Sequence, residues 1–235
     1  MNQVEICFSP DLIIHHELEG KIVVVVDIFR ATTTMIAALA NGVVEIKAFA
    51  DQKSCEQMRS YGYLIAGERN GHTLEGFDLG NSPVAFLSGE FEGKKLAMTT
   101  TNGTQAIEKS SGASEILIGA FPNLQATVSY IQSKNQDVLI HCAGWKGRFN
   151  LEDSLYAGAL VKSLEVSHES EEDGALAMKS LFEREGHRLK DFLSKASHAK
   201  RLQNHGIEAD IDFCLTLDLY DLVGKVDQNF VLRKG

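Results

Sequence analysis

The stretch KIVVVVDIFRATTTMIAALAN, residues 21–41, carries the clearest structural signal in this chain. Its first part, Lys21–Asp27, contains a continuous β-branched run, which is typical of a central strand covered on both faces. Ala31–Asn41 has the pattern of a helix, and Gly42 stands where a helix would end. The stretch therefore predicts a buried strand that leads into a helix, the repeating unit of α/β folds.

The same alternation of strands and helices continues on both sides of this stretch. It predicts an α/β fold of three layers, α/β/α, around a central mostly parallel or mixed sheet. A single domain over residues 1–235 is expected, with an acidic loop at 165–173 and a helical excursion near 174–204. After the excursion, Asp210–Leu215 and Asn229–Leu232 are expected to form strands, with a turn between them.

Composition and charge limit the possible partners. The 235 residues include 23 basic and 32 acidic side chains, so the formal net charge is −9. We therefore expect no nucleic-acid partner and no membrane partner, because polyanions and anionic membranes attract basic surfaces. No signal peptide is evident, and no apolar run approaches the roughly 20 residues that span a bilayer. Four widely spaced cysteines without zinc-ligand spacing indicate reduced thiols and a cytoplasmic protein.

Polar residues follow the predicted central strand at the point where it ends. Asp27 lies at the carboxyl edge of the sheet, where open α/β folds bind ligands. The run Thr32–Thr34 opens the next helix, whose N-terminus favours an anion. Arg30 can hold a phosphate or a sulfonate through two parallel hydrogen bonds. In the alternative, structural interpretation, Thr32 only caps the helix and Asp27 pairs with Arg30.

A second predicted strand end repeats this arrangement. In KLAMTTTNGTQAI, residues 95–107, a strand ends in three threonines and a helix begins near Gly103. Two such strand ends could direct backbone and hydroxyl donors at one substrate with two anionic groups. An ordinary turn is the alternative, because Asn-Gly is also a common turn sequence.

Glycine-rich loops and a later helix start supply further polar side chains. GERNG, 67–71, and GFDLGNSP, 76–83, share a long loop of the kind that often carries function. HCAGWKG, 141–147, precedes Glu152 and Asp153 near a predicted helix start. These two acids either stabilise the helix dipole or contribute to a hard-oxygen site for Mg²⁺.

Together the motifs resemble those of the 2-phosphosulfolactate phosphatases. The resemblance covers the chain from Val23 to Asp218 and rests on seven segments in all. They are VVVDIFRATTT, GERNG, GFDLGNSP, TTTNGT, CAG with LEDSLYAG, SHAKRL and DIDFCLTLD. The acidic insert at 165–173 and Trp145 are local departures from the family pattern.

The resemblance implies a three-layer α/β enzyme of coenzyme M biosynthesis. Such an enzyme uses Mg²⁺ to hydrolyse (2R)-2-phospho-3-sulfolactate to 3-sulfolactate and phosphate. A phosphatase of another small phosphorylated 2-hydroxy acid, or a non-catalytic phosphate- or sulfonate-binding protein, stays open as an alternative. The expected partner is a small anionic phosphorylated substrate, and a homodimer is a reasonable default.

The resemblance also implies the residues of the site. Asp27, Arg30 and Glu68 are the expected catalytic residues, and Asp27, Glu68 and Asp153 are the expected metal ligands. The expected substrate-binding residues are Thr32, Thr33, Thr34, Arg69, Asn81, Ser82, Thr100, Thr101, Asn102, Gly103, Thr104 and His198. Either Asp27 or a metal-oriented water attacks phosphorus. We favour water, because Phe29 replaces the second aspartate of the haloacid-dehalogenase pattern.

Overall fold

The structure is a computed structural model that describes residues 1–69, 71–203 and 207–235. The strands in this part of the chain are β1 (Asn2–Cys7), β2 (Ile22–Val26), β3 (Glu45–Ala48), β4 (Leu64–Arg69), β5 (His72–Thr73), β6 (Lys95–Thr99), β7 (Glu115–Gly119), β8 (Val138–Cys142), β9 (His168–Glu169), β10 (Gly224–Val226) and β11 (Val231–Lys234). The α-helices are α1 (Ala31–Ala40), α2 (Gln52–Gln57), α3 (Gly103–Lys109), α4 (Leu124–Gln132), α5 (Leu151–Leu164), α6 (Asp173–Glu185), α7 (Leu189–Leu193), α8 (Ser197–Gln203) and α9 (Glu208–Cys214).

The strands of the described residues form one mixed sheet. Its order is β5-β4-β6-β3-β11-β10-β7-β2-β8-β1-β9. β2 pairs in parallel with β7 and β8, and β6 pairs in parallel with β3 and β4. The antiparallel β10–β11 hairpin lies between β7 and β3 and joins these two parallel parts. The prediction of a three-layer α/β fold with a mixed sheet is therefore confirmed.

The predicted unit of buried strand and helix stands at the centre of the molecule. All five residues of β2 are buried, with Val24 opposite Leu117 on one side and Ile140 on the other. Burial of one such side chain contributes about 1.5–3 kcal/mol. In α1, Ala31–Leu39 are buried on every face, as expected of a helix enclosed by other elements.

Gly42 follows α1, and its surroundings require glycine. Its φ is +99°, a left-handed conformation that other residues rarely adopt. A Cβ there would also lie 2.7 Å from the Cα of Glu92. The predicted end of α1 at this glycine therefore has both a conformational and a steric cause.

The predicted strand at Asp210–Leu215 is wrong. These residues belong to the helix α9, except for Leu215, which follows it. Ile211, Cys214 and Leu215 are buried at helical spacing, which packs the segment against the core as a helix. The last strands are β10 and β11, and β10 follows the predicted turn in a stretch for which no strand was predicted.

The acidic segment 165–173 is only partly the solvated loop that was predicted. Its short strand β9 pairs with β1, and His168 is buried there. Glu165 forms ion pairs with Lys162 and Lys179, and Glu172 accepts a hydrogen bond from the Ile6 backbone N–H at 2.8 Å. The acids are thus used in attaching α6, which begins at Asp173, to α5 and β1.

The helical excursion near 174–204 is found in the described residues as α6, α7 and α8, and residue 204 lies outside them. All four cysteines are free thiols and are buried. Within the described ranges, no helix is both long and apolar enough to cross a membrane.

Candidate active site

The end of β2 places Asp27 at the first turn of α1. The side chain is 6% exposed, and its Oδ1 accepts a hydrogen bond from the Ala31 backbone N–H at 3.4 Å. Thr32 Oγ1 donates to the Asp27 carbonyl at 3.0 Å and accepts from the Asp27 N–H at 2.9 Å. Thr32 therefore holds the turn, and the carboxylate of Asp27 occupies the helix N-terminus that the sequence assigned to a substrate anion.

The second threonine-rich strand end lies directly against Asp27. β6 and β2 are not neighbours in the sheet, yet a Cβ on Gly103 would lie 2.8 Å from Asp27 Oδ2 and 2.7 Å from Ala31 Cβ. A residue larger than glycine would displace either Asp27 or α3. The predicted convergence of the two strand ends is therefore present in the structure, and Gly103 is the point of closest approach.

Glu68 connects the GERNG loop to this second strand end. Its Oε1 accepts hydrogen bonds from the backbone N–H and the hydroxyl of Thr101, both at 2.9 Å. Its Oε2 accepts from the Gly71 N–H at 2.8 Å. Glu68 is buried and acts on Asp27 by charge repulsion, so it belongs to the same site. Asn70 of the motif lies outside the described residues.

Asp153 joins the turns that follow β2 and β8. Its Oδ1 accepts from the Ile28 N–H at 2.8 Å, and its Oδ2 accepts from the Gly144 N–H at 3.1 Å and from Asn150 Nδ2 at 2.9 Å. The carboxylate is fully buried. Burial, followed by the charges of Asp27 and Glu152, raises the pKa of Asp153 well above its usual range.

Several buried acids thus surround Asp27. Burial raises the pKa of Asp27 from an ordinary 3.8 to about 6. His198 opposes this rise in pKa through its positive charge, whereas Glu68 and Glu152 add to it by repulsion. The arrangement concentrates carboxyl groups at the carboxyl edge of the sheet, where a bound cation would favour their ionised forms.

His198 enters the site from α8. Its Nδ1 lies 2.5 Å from Glu152 Oε1, and both side chains are buried. The ring packs against Trp145 and Phe29, with ring-centroid distances of 4.9 and 6.2 Å. His198 therefore lies between the turns that follow β8 and β2, beside the acids around Asp27.

Arg30 has a different partner from the one that the structural interpretation proposed. Its Nη1 forms a buried ion pair with Asp210 Oδ2, not with Asp27. Asp210 Oδ1 accepts a hydrogen bond from Ser82 Oγ at 2.6 Å. Asn81, next to Ser82, is buried, and its Oδ1 has no hydrogen-bond partner in the described part of the chain.

The remaining predicted binding residues lie around the same edge, and most of their hydroxyls already have backbone partners. Thr33 Oγ1 donates to the Ile28 carbonyl at 3.0 Å, and Thr104 Oγ1 donates to the Thr100 carbonyl at 3.2 Å. The hydroxyl of Thr34 is buried without a partner among the described residues.

Two links join this edge to the neighbouring loops. Arg69 Nη2 donates to Thr99 Oγ1 at 3.0 Å, and Asn102 Oδ1 accepts from the Lys146 N–H at 3.1 Å. The direct contact of these residues with substrate stays a prediction.

Two of the residues found here were not assigned from the sequence, Glu152 as the partner of His198 and Asp210 as the partner of Arg30. Glu152 was noted beside Asp153, but only Asp153 was assigned to the site, and nothing local in the sequence points to its partner His198. Asp210 lies in the DIDFCLTLD segment, yet it was placed on a strand without a role. Its helix brings it to Arg30, 180 positions away in the sequence.

The fold is an α/β fold, and a group of buried acids lies at the carboxyl edge of its sheet. The family model described as 2-phosphosulpholactate phosphatase matches residues 7–229. The chain belongs to this family and is thus a phosphatase.

Individual relatives agree along nearly their whole length. The chain is 42% identical over 218 residues to a probable 2-phosphosulfolactate phosphatase of Thermotoga petrophila, covering 92% of this chain and 94% of the relative. It is 37% identical to the protein of that name from Caldanaerobacter subterraneus, with 92% and 91% coverage. It is 36% identical to the probable 2-phosphosulfolactate phosphatase of Gloeobacter violaceus, and the match covers 99% of this chain and 99% of the relative.

The close approach of Gly103 to Asp27 gives a first prediction. Gly103→Ala should lower kcat by about 10- to 100-fold and the free energy of unfolding by about 1–3 kcal/mol, because the new methyl group displaces Asp27. Phosphate release and urea unfolding measure the two effects. Gly112→Ala is the matched control, since its Cβ would meet Leu18 at an ordinary 3.5 Å. Unchanged kcat in Gly103→Ala would contradict the assigned position of Asp27.

Proposed function

We propose that this protein is a Mg²⁺-dependent phosphatase that hydrolyses (2R)-2-phospho-3-sulfolactate to 3-sulfolactate and phosphate. Its family and the names of its relatives support this substrate. The observation that carries the proposal is the position of Asp27 among Glu68, Glu152 and Asp153. In their ionised forms these carboxylates would repel a phosphate ester unless a cation stood between them.

The residues present fit Mg²⁺ in their chemistry. Among the described residues, no group of three or more His, Cys, Asp or Glu is gathered to hold a metal ion by itself. Mg²⁺ does not require one, because it usually takes one or two carboxylates together with waters and substrate phosphate oxygens. Asp27 would therefore hold the ion together with Glu68 or Asp153. These two carboxylates also accept hydrogen bonds from backbone N–H groups. Bound Mg²⁺ would neutralise the phosphate oxygens and stabilise the leaving oxygen.

The arginines of the site would bind the sulfonate and the carboxylate of the substrate. A phosphosulfolactate carries a sulfonate and a carboxylate besides its phosphate, and guanidinium groups bind both through paired N–H donors. Arg30 keeps further donors after its pair with Asp210, and Arg69 lies beside Thr99 at the second strand end. These two arginines would orient the substrate without the side-chain freedom of exposed lysines.

Water is the nucleophile that this site favours. Asp27 already accepts from the first turn of α1, and the side chain two residues later is the buried Phe29. A phosphoaspartate route of the haloacid-dehalogenase type would need an acid at that position. Asp27 would therefore act through the bound cation, and a water molecule would attack phosphorus in line with the leaving oxygen.

A panel of substrates tests the proposed function. We expect rapid phosphate release from 2-phospho-3-sulfolactate with Mg²⁺, and release at least about 100-fold slower after EDTA treatment, restored by added Mg²⁺. Phospholactate and phosphoglycolate serve as comparison substrates without the sulfonate. Faster turnover of either would assign a different physiological substrate. Binding of sulfolactate without any turnover would indicate a non-catalytic binding protein.

A further inference from the structure

A buried pair of residues, Glu152 and His198, lies beside the proposed metal site, and neither side chain is one of its proposed ligands or one of the substrate-binding arginines. Glu152 is 0% exposed and His198 is 5% exposed. Their contact joins the first turn of α5 to α8, across 46 positions of sequence. A buried carboxylate is costly unless it is paired, so a pair at this place requires an explanation.

The geometry of the pair fixes which atom of the histidine can act. Nδ1 lies 2.5 Å from Glu152 Oε1, so this ring nitrogen is engaged in a hydrogen bond with the carboxylate. The ring is held on its sides by Trp145 and Phe29. With Nδ1 used by the carboxylate, Nε2 is the ring nitrogen that can meet a substrate.

The other oxygen of Glu152 strengthens this interpretation. Glu152 Oε2 is buried and has no hydrogen-bond partner among the described residues, so the carboxylate depends on His198 for compensation. The pair therefore holds the ring of His198 in place beside Asp27, on which His198 acts electrostatically.

We propose that His198 is the general acid of the reaction and that Glu152 is its positioning residue. As water adds to phosphorus, the bond from phosphorus to the substrate oxygen breaks and its electron pair stays on that oxygen. His198 Nε2 gives its proton to this oxygen, which leaves as the hydroxyl group of the product. The attacking water keeps one proton on the released phosphate, and its second proton returns to His198 through solvent. This role rests on the proposed phosphatase function.

Kinetics of two variants give the first test. His198→Asn should lower kcat by about 10²- to 10⁴-fold, the usual contribution of a general acid. Glu152→Gln keeps a hydrogen-bond acceptor but removes the charge, so we expect a smaller loss of about 10- to 100-fold. Because the two residues act as a unit, the double variant should be no slower than His198→Asn. Additive losses in kcat would overturn the pairing.

The isotope effect of the bridging oxygen separates proton donation from a structural role. We substitute oxygen-18 at the ester oxygen of 2-phosphosulfolactate and compare kcat/KM for the two isotopes. In the wild type the proton compensates for the breaking bond, so the effect should be small. It should increase in His198→Asn and in Glu152→Gln, where the oxygen departs with more negative charge. An unchanged isotope effect in both variants would overturn the proposal, whatever their rates.

Two control variants complete the design. His168→Asn removes another buried histidine, which lies on β9 and contacts Ser167 Oγ through its Nδ1 at 2.9 Å. This variant should leave kcat unchanged. Gly103→Ala slows the reaction with the pair intact, so its isotope effect should stay small. A large isotope effect in Gly103→Ala would mean that any slowing of the reaction increases the isotope effect. The increase in His198→Asn and Glu152→Gln would then say nothing about proton donation, and the proposal would be overturned.

Failure of the proposed function would be recognised separately. If the wild type prefers phospholactate or phosphoglycolate, the same isotope measurement is made on that ester, and the role of His198 is judged there. If the wild type releases phosphate from none of these esters with Mg²⁺, the phosphatase proposal fails first, and the proposal for His198 fails with it.

Discussion

Replacing Asp27 with asparagine is expected to abolish phosphate release and yet leave a fold at least as stable as the wild type. The activity should fall on the order of 10³-fold or more, because the amide cannot hold the cation and the site loses its central charge. The stability should rise because an ionised Asp27 is destabilising in the folded protein, where burial raises its pKa to about 6.

The size of this stability effect depends on pH. Well below its ordinary pKa of 3.8, Asp27 is protonated in both the folded and unfolded states, so Asp27→Asn should unfold like the wild type there. As the pH rises from about 4 to about 6, Asp27 ionises in the unfolded chain while the folded wild type still keeps it protonated, so the wild type loses stability. Asp27→Asn should therefore gain stability over this range, by about 1–3 kcal/mol at pH 8 without Mg²⁺. Urea unfolding at pH 4 and pH 8 measures the difference.

Mg²⁺ provides a readout of the same variant that does not depend on catalysis. A cation that binds only the folded state raises its stability by mass action. Added Mg²⁺ should therefore raise the Tm of the wild type and have little effect on Asp27→Asn. Asp212→Asn, a change at an exposed position on α9, is the control and should behave as the wild type. Full activity in a well-folded Asp27→Asn variant would show that Asp27 is not part of the active site.

Breaking the buried ion pair of Arg30 is expected to cause the largest loss of stability. Arg30 is 5% exposed and Asp210 2% exposed, so neither charge is well solvated. Arg30→Met would leave Asp210 buried without its counter-charge, and we expect a loss of about 3–5 kcal/mol in the free energy of unfolding. Urea unfolding measures this loss, and phosphate release should fall as well because the guanidinium is gone.

A double variant separates the structural and functional roles of this pair. Arg30→Met combined with Asp210→Leu removes both charges, so most of the lost stability should return. Activity should not return, because no guanidinium is restored. The exposed pair of Lys190 and Asp212 is the control, and Lys190→Met should cost less than about 1 kcal/mol. If Arg30→Met cost no more than Lys190→Met, the account of a buried pair would be wrong.

The parts of the fold and site that could be predicted from sequence depend on local patterns. The β-branched run before Asp27 indicates a strand covered on both faces, and the structure places it at the centre of the sheet. Strands that run parallel bring their carboxyl ends to one edge, so Asp27 and the turn at Gly103 could be expected to meet. That expectation is confirmed by their contact.

The parts that could not be predicted depend on contacts between distant residues. The pattern around Asp210 is compatible with a strand or a short helix, and only packing of Ile211 and Cys214 in the core selects the helix. Glu152 resembles any acid at a helix start until α8 brings His198 to it. Similarly, the hydroxyl of Thr32 resembles a substrate ligand until its bonds to the backbone of Asp27 are known.

We propose that the acids around Asp27 make this chain a Mg²⁺-dependent phosphatase of 2-phosphosulfolactate. The most direct test is the kcat/KM for phosphate release from (2R)-2-phospho-3-sulfolactate, measured with Mg²⁺ and with EDTA beside the same values for phospholactate. We predict that the sulfonated substrate is preferred and that its turnover requires Mg²⁺. Equal turnover with EDTA, or a preference for phospholactate, would contradict this prediction.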